Sequence, residues 1–381
     1  MDRSSRSASS DDIHLSPIRL SRSASGVFDY ELNKPTRHLT TLPLACLIFY
    51  SVSGGPFGME SSVKEAGALY TLIGFTVFPI FWSIPEALMT AELATAYPEA
   101  SGCVAWVHEA FGPTAGLVNG YLTWLSGVTD NSLYPVLFLQ YLLADSPYLS
   151  SRFTPGSLER WGLVSAVVLF LSALNYRGLK FVGNVNVVIA IVSVAPFVIL
   201  SAACIPKIDP SRWLVRPDTP VTDIDWGEFM NILFWNLNYF DAAASFSGEV
   251  VDPGKTYPRA SFWAVLMVAF GYLIPLLATI GASSAPDSDW DNGYSEVVAS
   301  HVVGRWLSAW ILFGSGIANL ALFQAEMSSD SFQLLGMAER GLVPSVFARR
   351  SRFGTPTAAI CVSAVICVAL ASFEFSSLVE M

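Results

Sequence analysis

The sequence predicts an all-α protein that crosses a membrane about nine times, with its first and sixth spans broken near mid-depth. Three observations predict it. The 381 residues are 52% hydrophobic and only 14% charged, with a mean hydropathy of +0.49, whereas soluble domains carry roughly 25% charged residues. Apolar segments recur at 39–63, 68–95, 115–143, 159–176, 182–205, 228–249, 258–282, 304–330 and 356–374, each near or above the roughly 20 residues a spanning helix needs. The first and sixth of these hold helix-breaking or polar residues at their centres.

The elements follow in chain order. Residues 1–38 are rich in Ser, Arg and Asp and poor in apolar side chains, which predicts a disordered cytoplasmic tail; residues 39–381 form the membrane domain. Gly54-Gly55-Pro56-Phe57-Gly58 interrupts the first span. Lipid supplies no partner for a freed N–H or C=O, so unwound backbone at that depth persists only inside protein or beside a water-filled cavity. Glu60 follows that break. If a half-helix restarts near Gly58, its dipole favours a carboxylate there, either as a resident cap or in the seat that a substrate carboxylate would take. In the third span Thr123, Ser126, Asp130 and Tyr134 advance by helical spacing and share one face. Ser315, Asn319, Glu326 and Asp330 make a similar stripe on the eighth. Such stripes face the bundle or a cavity, and for the hydroxyls helix–helix hydrogen bonding is the simpler use. The sixth span reads Trp235-Asn236-Leu237-Asn238-Tyr239-Phe240-Asp241. Breaks in spans one and six are the pair expected of an inverted repeat of five plus five helices. The outer loop Asp287-Ser288-Asp289-Trp290-Asp291-Asn292-Gly293 has a misplaced glycine and no closing glutamate for a calcium loop, so it reads as solvated. With the N-terminus inside, the cytoplasmic side takes two of every three of the 21 lysines and arginines, as the positive-inside rule requires.

Composition also excludes function classes. The formal charge of −10 is not a nucleic-acid footprint. The five cysteines are scattered without a CxxC, and the four histidines are isolated, so neither a disulfide framework nor a metal site is expected. No HExxH or GxSxG occurs, and neither enzyme nor cofactor is expected. Glu60, Glu86, Glu92, Asp130, Asp241, Glu249 and Glu326 lie in apolar segments with no lysine or arginine well inside any span. Each intramembrane ionisable group costs roughly 2.5–3.5 kcal/mol. The surplus negative charge calls for protons, metal ions or a cationic substrate, except at Glu92 and Glu249, whose places near helix ends suit structural roles.

Several stretches together carry a family resemblance. They are Phe49-Tyr50-Ser51-Val52-Ser53-Gly54-Gly55-Pro56-Phe57-Gly58-Met59-Glu60, Trp82-Ser83-Ile84-Pro85-Glu86-Ala87-Leu88 with Ala91-Glu92-Leu93, Trp124 to Val136, Leu233-Phe234-Trp235-Asn236-Leu237-Asn238-Tyr239, and Gly248-Glu249-Val250. From about Leu32 onward the chain resembles the amino acid–polyamine–organocation superfamily, and within it the polyamine uptake transporters of plants and protists. The resemblance implies a five-plus-five inverted-repeat fold, usually of twelve helices, about three more than this chain carries, so the chain reads as a truncated member, a fragment or a short form; the plasma membrane is the expected location. It implies proton-coupled uptake of polyamines. Carried over, Gly54, Gly55, Gly58, Glu60, Asn238, Tyr239 and Asp241 line the substrate site, and Trp235 is a gating aromatic.

The expected mechanism is alternating access, with ammonium groups meeting Asp241, Glu60 and Asp130. Burial disfavours a charged carboxyl, which makes Glu60, Glu86 and Glu326 candidates for the coupling proton. Two other readings fit the same residues: an amino-acid transporter of the same fold, and a non-transporting membrane sensor that keeps the pocket.

Overall fold

The computed structural model describes residues 37–143, 147–154, 156–217 and 220–371. The predicted tail, apart from Arg37 and His38, and the last residues of the ninth segment lie outside them. The described residues form helices and no strand, with a single isolated bridge between Leu39 and Val250.

The first segment is two helical pieces. Helix α1 (Thr41–Val52) stops at Ser53, which is extended, and helix α2 (Ser61–Phe78) begins only eight residues later. Gly55 and Gly58 between them have φ of +94° and +75°, a region closed to most side chains. A glycine turn at Gly67 (φ +77°, ψ 169°) then divides α2. Residues 61–66 are therefore the second half of span one, and span two starts near 68, where the apolar pattern places it. Span two carries a five-residue π-turn, Pro79–Ser83, before helix α3 (Ile84–Ala96). Pro79 and Pro85 remove two backbone donors from this stretch, and a widened turn is one way a helix absorbs such gaps.

Helices α4 (Cys103–Phe111), α5 (Pro113–Leu143), α6 (Pro147–Arg152), α7 (Leu158–Tyr176) and α8 (Leu179–Cys204) follow. Helix α9 (Trp226–Leu237) ends at a second break. Asn238 there is extended and Tyr239 is left-handed (φ 87°), and the chain resumes as a tight 3₁₀ stretch, Phe240–Glu249. Helices α10 (Pro253–Ala282), α11 (Tyr294–Val302), α12 (Arg305–Glu339) and α13 (Thr357–Leu370) complete the described chain. Among the described residues five helical stretches, Ser61–Ala96, Leu158–Tyr176, Leu179–Lys207, Pro253–Ala282 and Arg305–Glu339, are long and apolar enough to cross a membrane by length and composition. Helix α12 runs nine residues past the predicted limit of span eight. Its extension, from Ser331 to Ala338, is buried although it contains polar side chains, so an apolar-run criterion ends too early.

Helix α12 is the hub, packing on α5, α8, α13 and α1, while α1 also lies against α10 and α8. Side-chain hydrogen bonds tie α7 to the hub. Asn175 donates to Gln324 Oε1 at 2.7 Å, Ser328 donates to Asn175 at 2.6 Å, and Gln324 returns a bond to the Leu171 carbonyl at 3.1 Å. Between membrane helices such bonds contribute about 0.6–2 kcal/mol each. Ser315, Asn319 and Thr123 from the predicted stripes instead bond carbonyls of their own helices.

One end of the bundle is held by ions. Arg350, almost wholly enclosed, meets Glu249 at 2.5 Å and Glu339 at 3.5 Å, and Arg340 meets Glu99 and Glu109. The amides of His38 and Leu39 donate to the Glu249 carbonyl at 2.9 and 3.0 Å. The start of span one is thus fastened to the end of span six.

Candidate functional site

The first break is built so that little can replace its glycines. A Cβ on Gly54 would approach Leu322 of α12 to 2.9 Å. The Ser53 hydroxyl bridges the break, accepting from the Gly55 amide at 3.1 Å and donating to the Tyr272 hydroxyl at 2.6 Å. Tyr50, one turn earlier, pairs with Ser193 of α8 at 2.8 Å.

The second break is closed by span two. The Trp82 indole donates to Asn238 Oδ1 at 2.7 Å, and the Ser83 hydroxyl donates to the carbonyl of Leu237, the last residue of α9, at 2.6 Å. Glu86 Oε1 accepts from the Tyr239 amide at 3.1 Å and the Asp241 amide at 3.4 Å. Three side chains from one five-residue stretch therefore satisfy backbone or side-chain groups exposed where span six unwinds. The other Glu86 oxygen is out of solvent and has no hydrogen-bond partner. The segment 82–86 was legible as a motif, but nothing in its sequence points to residues some 150 positions away.

The third component lies between α5 and α12. Asp130 and Asp330 flank Glu326, and the Tyr134 hydroxyl faces it. Glu326 and Asp330 are buried, and each keeps one oxygen without a partner. Gly127 makes room for them, because a Cβ there would run into the Asp330 carboxyl. Asn131, next in line after Asp130, is fully buried with neither amide atom bonded. Tyr239 lies within electrostatic reach of Glu326, Asp330, Asp241 and Asp130. The left-handed residue at the second break thus stands between its own aspartate and the acids of spans three and eight. Asp330 was predicted only as part of a stripe, and its pairing with Asp130 comes from packing.

Among the described residues no ion pair involves Glu60, Glu86, Asp130, Asp241, Glu326 or Asp330. The basic side chains found in ion pairs among the described residues are Lys64, Lys255, Arg340 and Arg350; Lys64 takes Asp291 at 2.5 Å and Arg350 takes Glu249.

The remaining predicted residues are placed as follows. Glu60 is buried and faces Gly293 and Ser295 at the start of α11, within electrostatic reach of Tyr141 and Tyr272. Its side chain makes no cap bond to α2, the half-helix it was expected to cap, and turns instead to a neighbouring helix. Trp235 is half-exposed on α9, one turn before the second break.

Comparison with known proteins adds the kinship. The amino acid permease family model matches residues 39–381. A probable polyamine transporter of Arabidopsis thaliana is 49% identical over 349 residues, 91% of this chain and 71% of its own length. The polyamine transporter RMV1 of the same plant is 48% identical over 343 residues, 90% of this chain and 69% of its own. The polyamine transporter PUT1 of Oryza sativa subsp. japonica is 48% identical over 340 residues, 89% of this chain and 62% of its own.

Proposed function

We propose that this chain, which belongs to the amino acid permease family, moves polyamines across a membrane by alternating access, with protons as the coupling ion. Relatives about half identical in sequence bear the name of polyamine transporters, and the arrangement of acids suits that cargo. The observation that carries the reading is the group of carboxyls without basic partners around Tyr239, beside the unwound part of span six. A polyamine presents several ammonium groups along a flexible chain. Asp241 at the break and Asp130 with Asp330 between α5 and α12 offer it separate anionic seats. The aromatic faces of Tyr239 and Trp235 add cation–π attraction of about 0.5–2 kcal/mol. Gly54, Gly55 and Gly58 let the backbone of span one approach the cargo, and Asn238 lies at the opposite break.

The coupling proton is assigned to Glu326 among the three candidates. Glu60 faces the start of α11 and Glu86 accepts from span six, whereas Glu326 is buried between two acids. The fold is read as an inverted repeat of five plus five helices, with breaks in its first and sixth members. The N-terminus is read as cytoplasmic and the membrane as the plasma membrane. An inside-negative potential then favours import by about 2.3 kcal/mol per charge per 100 mV.

Uptake of labelled spermidine into proteoliposomes, with and without an imposed pH gradient, tests the reading. Wild-type protein should accumulate spermidine, faster with the outside acidic. Asp241→Asn should abolish uptake while still inserting in the membrane. Normal uptake by that variant removes Asp241 from the site.

A further inference from the structure

Three connections meet at the end of the bundle where span one begins. They are the tight α7–α8 turn through Arg177 and Gly178, the loop before α13 that carries Phe353 and Gly354, and His38–Leu39 ahead of α1. Between them lies a hollow of about 110 Å³, lined in part by His38, Arg177, Lys180, Glu249 and Phe353. Gly178 closes the turn with φ of +112°, and a Cβ there would lie 3.4 Å from the Phe353 carbonyl oxygen.

The charge around this hollow is one-sided. Its acid, Glu249, is already taken by Arg350 at 2.5 Å. Arg177 and Lys180 are exposed and form no ion pair among the described residues. Arg352 stands beside them, over the Phe353 ring at 4.7 Å. Helix α8 begins here without a side-chain cap, so its first amides and positive dipole end add to the field. The positive-inside rule accounts for basic residues at this end, but not for their gathering round one cavity. The volume equals that of about three or four liquid waters, room for one phosphate group. The flank is apolar. Phe181, Val188, Ile191 and Val198 are exposed, and their spacing of seven, three and seven puts them on one face of α8.

We propose that this hollow is a binding site for the phosphate headgroup of an anionic phospholipid, held by Arg177, Lys180 and His38, with the acyl chains along the apolar face of α8. Basic pockets between spans on the cytoplasmic side bind such headgroups, and this end carries the N-terminus, read above as cytoplasmic. The headgroup sits against Glu249, whose carbonyl accepts the His38 and Leu39 amides, so its binding braces the fastening of span one to the end of span six. None of these residues belongs to the group of acids around Tyr239, and binding is therefore read without transport.

The purified chain is melted in neutral micelles of detergent and phosphatidylcholine with increasing phosphatidic acid, whose headgroup is a single phosphate. The wild-type melting temperature should rise with the lipid, as binding to the folded state requires. Arg177→Gln with Lys180→Gln should need about thirtyfold more phosphatidic acid for the same rise, the loss of two cations at a membrane surface. Lys255→Gln with Arg259→Gln removes the same charge from exposed positions outside the hollow, and its titration should match wild type. Glycerol 3-phosphate, which has the headgroup without acyl chains, should give no rise at the same concentration. No rise in wild type, or equal weakening by the two pairs of substitutions, overturns the proposal. An equal rise with glycerol 3-phosphate also overturns it, in favour of a site for a soluble phosphate. If the Arg177 and Lys180 pair is too unstable to melt cooperatively, Lys180→Gln alone should need about fivefold more lipid, and an unchanged titration in that variant overturns the proposal.

Discussion

The enclosed arginine at one end of the bundle gives the prediction most directly worked from geometry. The Arg350 side chain is 1% exposed, Glu249 beside it is 5% exposed, and their atoms approach to 2.5 Å. Removing one member of such a pair leaves its partner buried and uncompensated, which costs about 3–5 kcal/mol. Glu339, at 3.5 Å and 35% exposed, is wet enough that its share should fall within about 0–1 kcal/mol. The guanidinium also stands 5.7 Å from the centre of the Phe332 ring, a contact of about 0.5–2 kcal/mol that goes with it. Arg350→Met should therefore lose about 3–5 kcal/mol in an SDS titration from mixed micelles. The double variant Arg350→Met with Glu249→Gln should recover about 1–3 kcal/mol of that loss, because neither charge is then stranded. Lys64→Met provides the contrast. Lys64 and Asp291 are 41% and 72% exposed although equally close, so the loss should stay below about 1 kcal/mol. If Arg350→Met is as stable as wild type, or if the two substitutions simply add, the ion pair does not hold this end together.

Two further outcomes are expected. Glu326→Gln should retain spermidine uptake down its own gradient but lose the acceleration by an outward-acidic pH gradient, read in the same proteoliposomes; a full pH response in that variant moves the proton elsewhere. Gly127→Ala should lower stability by about 1–3 kcal/mol, the cost of overpacking, and weaken spermidine uptake, because its Cβ occupies the space of the Asp330 carboxyl. Wild-type melting and uptake would show that α5 and α12 part there freely.

The sequence marked both interruptions because their residues are poor helix formers in an otherwise apolar run. Gly55 and Gly58 adopt positive φ, and Asn238 and Tyr239 leave the helical region. The missing counter-charges were legible for the same reason, since lysine and arginine are absent from the middle of every span. Contacts between helices were not. Helical spacing puts Asp130 on one face of α5 and Glu326 with Asp330 on one face of α12, but only packing turns those faces toward each other. Likewise, spacing could not show that Glu60 faces residues 293 and 295, or that Trp82, Ser83 and Glu86 attend to span six. The Gly67 turn was also hidden, because apolar residues continue on both sides of it.

Taken together, the two breaks solve one physical problem in different ways. Unwound backbone inside a membrane must find partners for its amides and carbonyls. Span one finds them locally, through the Ser53 hydroxyl and glycine conformations that fold the chain back on itself. Span six cannot, because Asn238 and Tyr239 carry full side chains, so it relies on span two. That reliance places a carboxylate at the break whether or not cargo is present. Asp241 stands at the same break, so two acids share it before any substrate arrives. A cationic visitor lowers the electrostatic cost of ionising these acids, and an anionic one raises it.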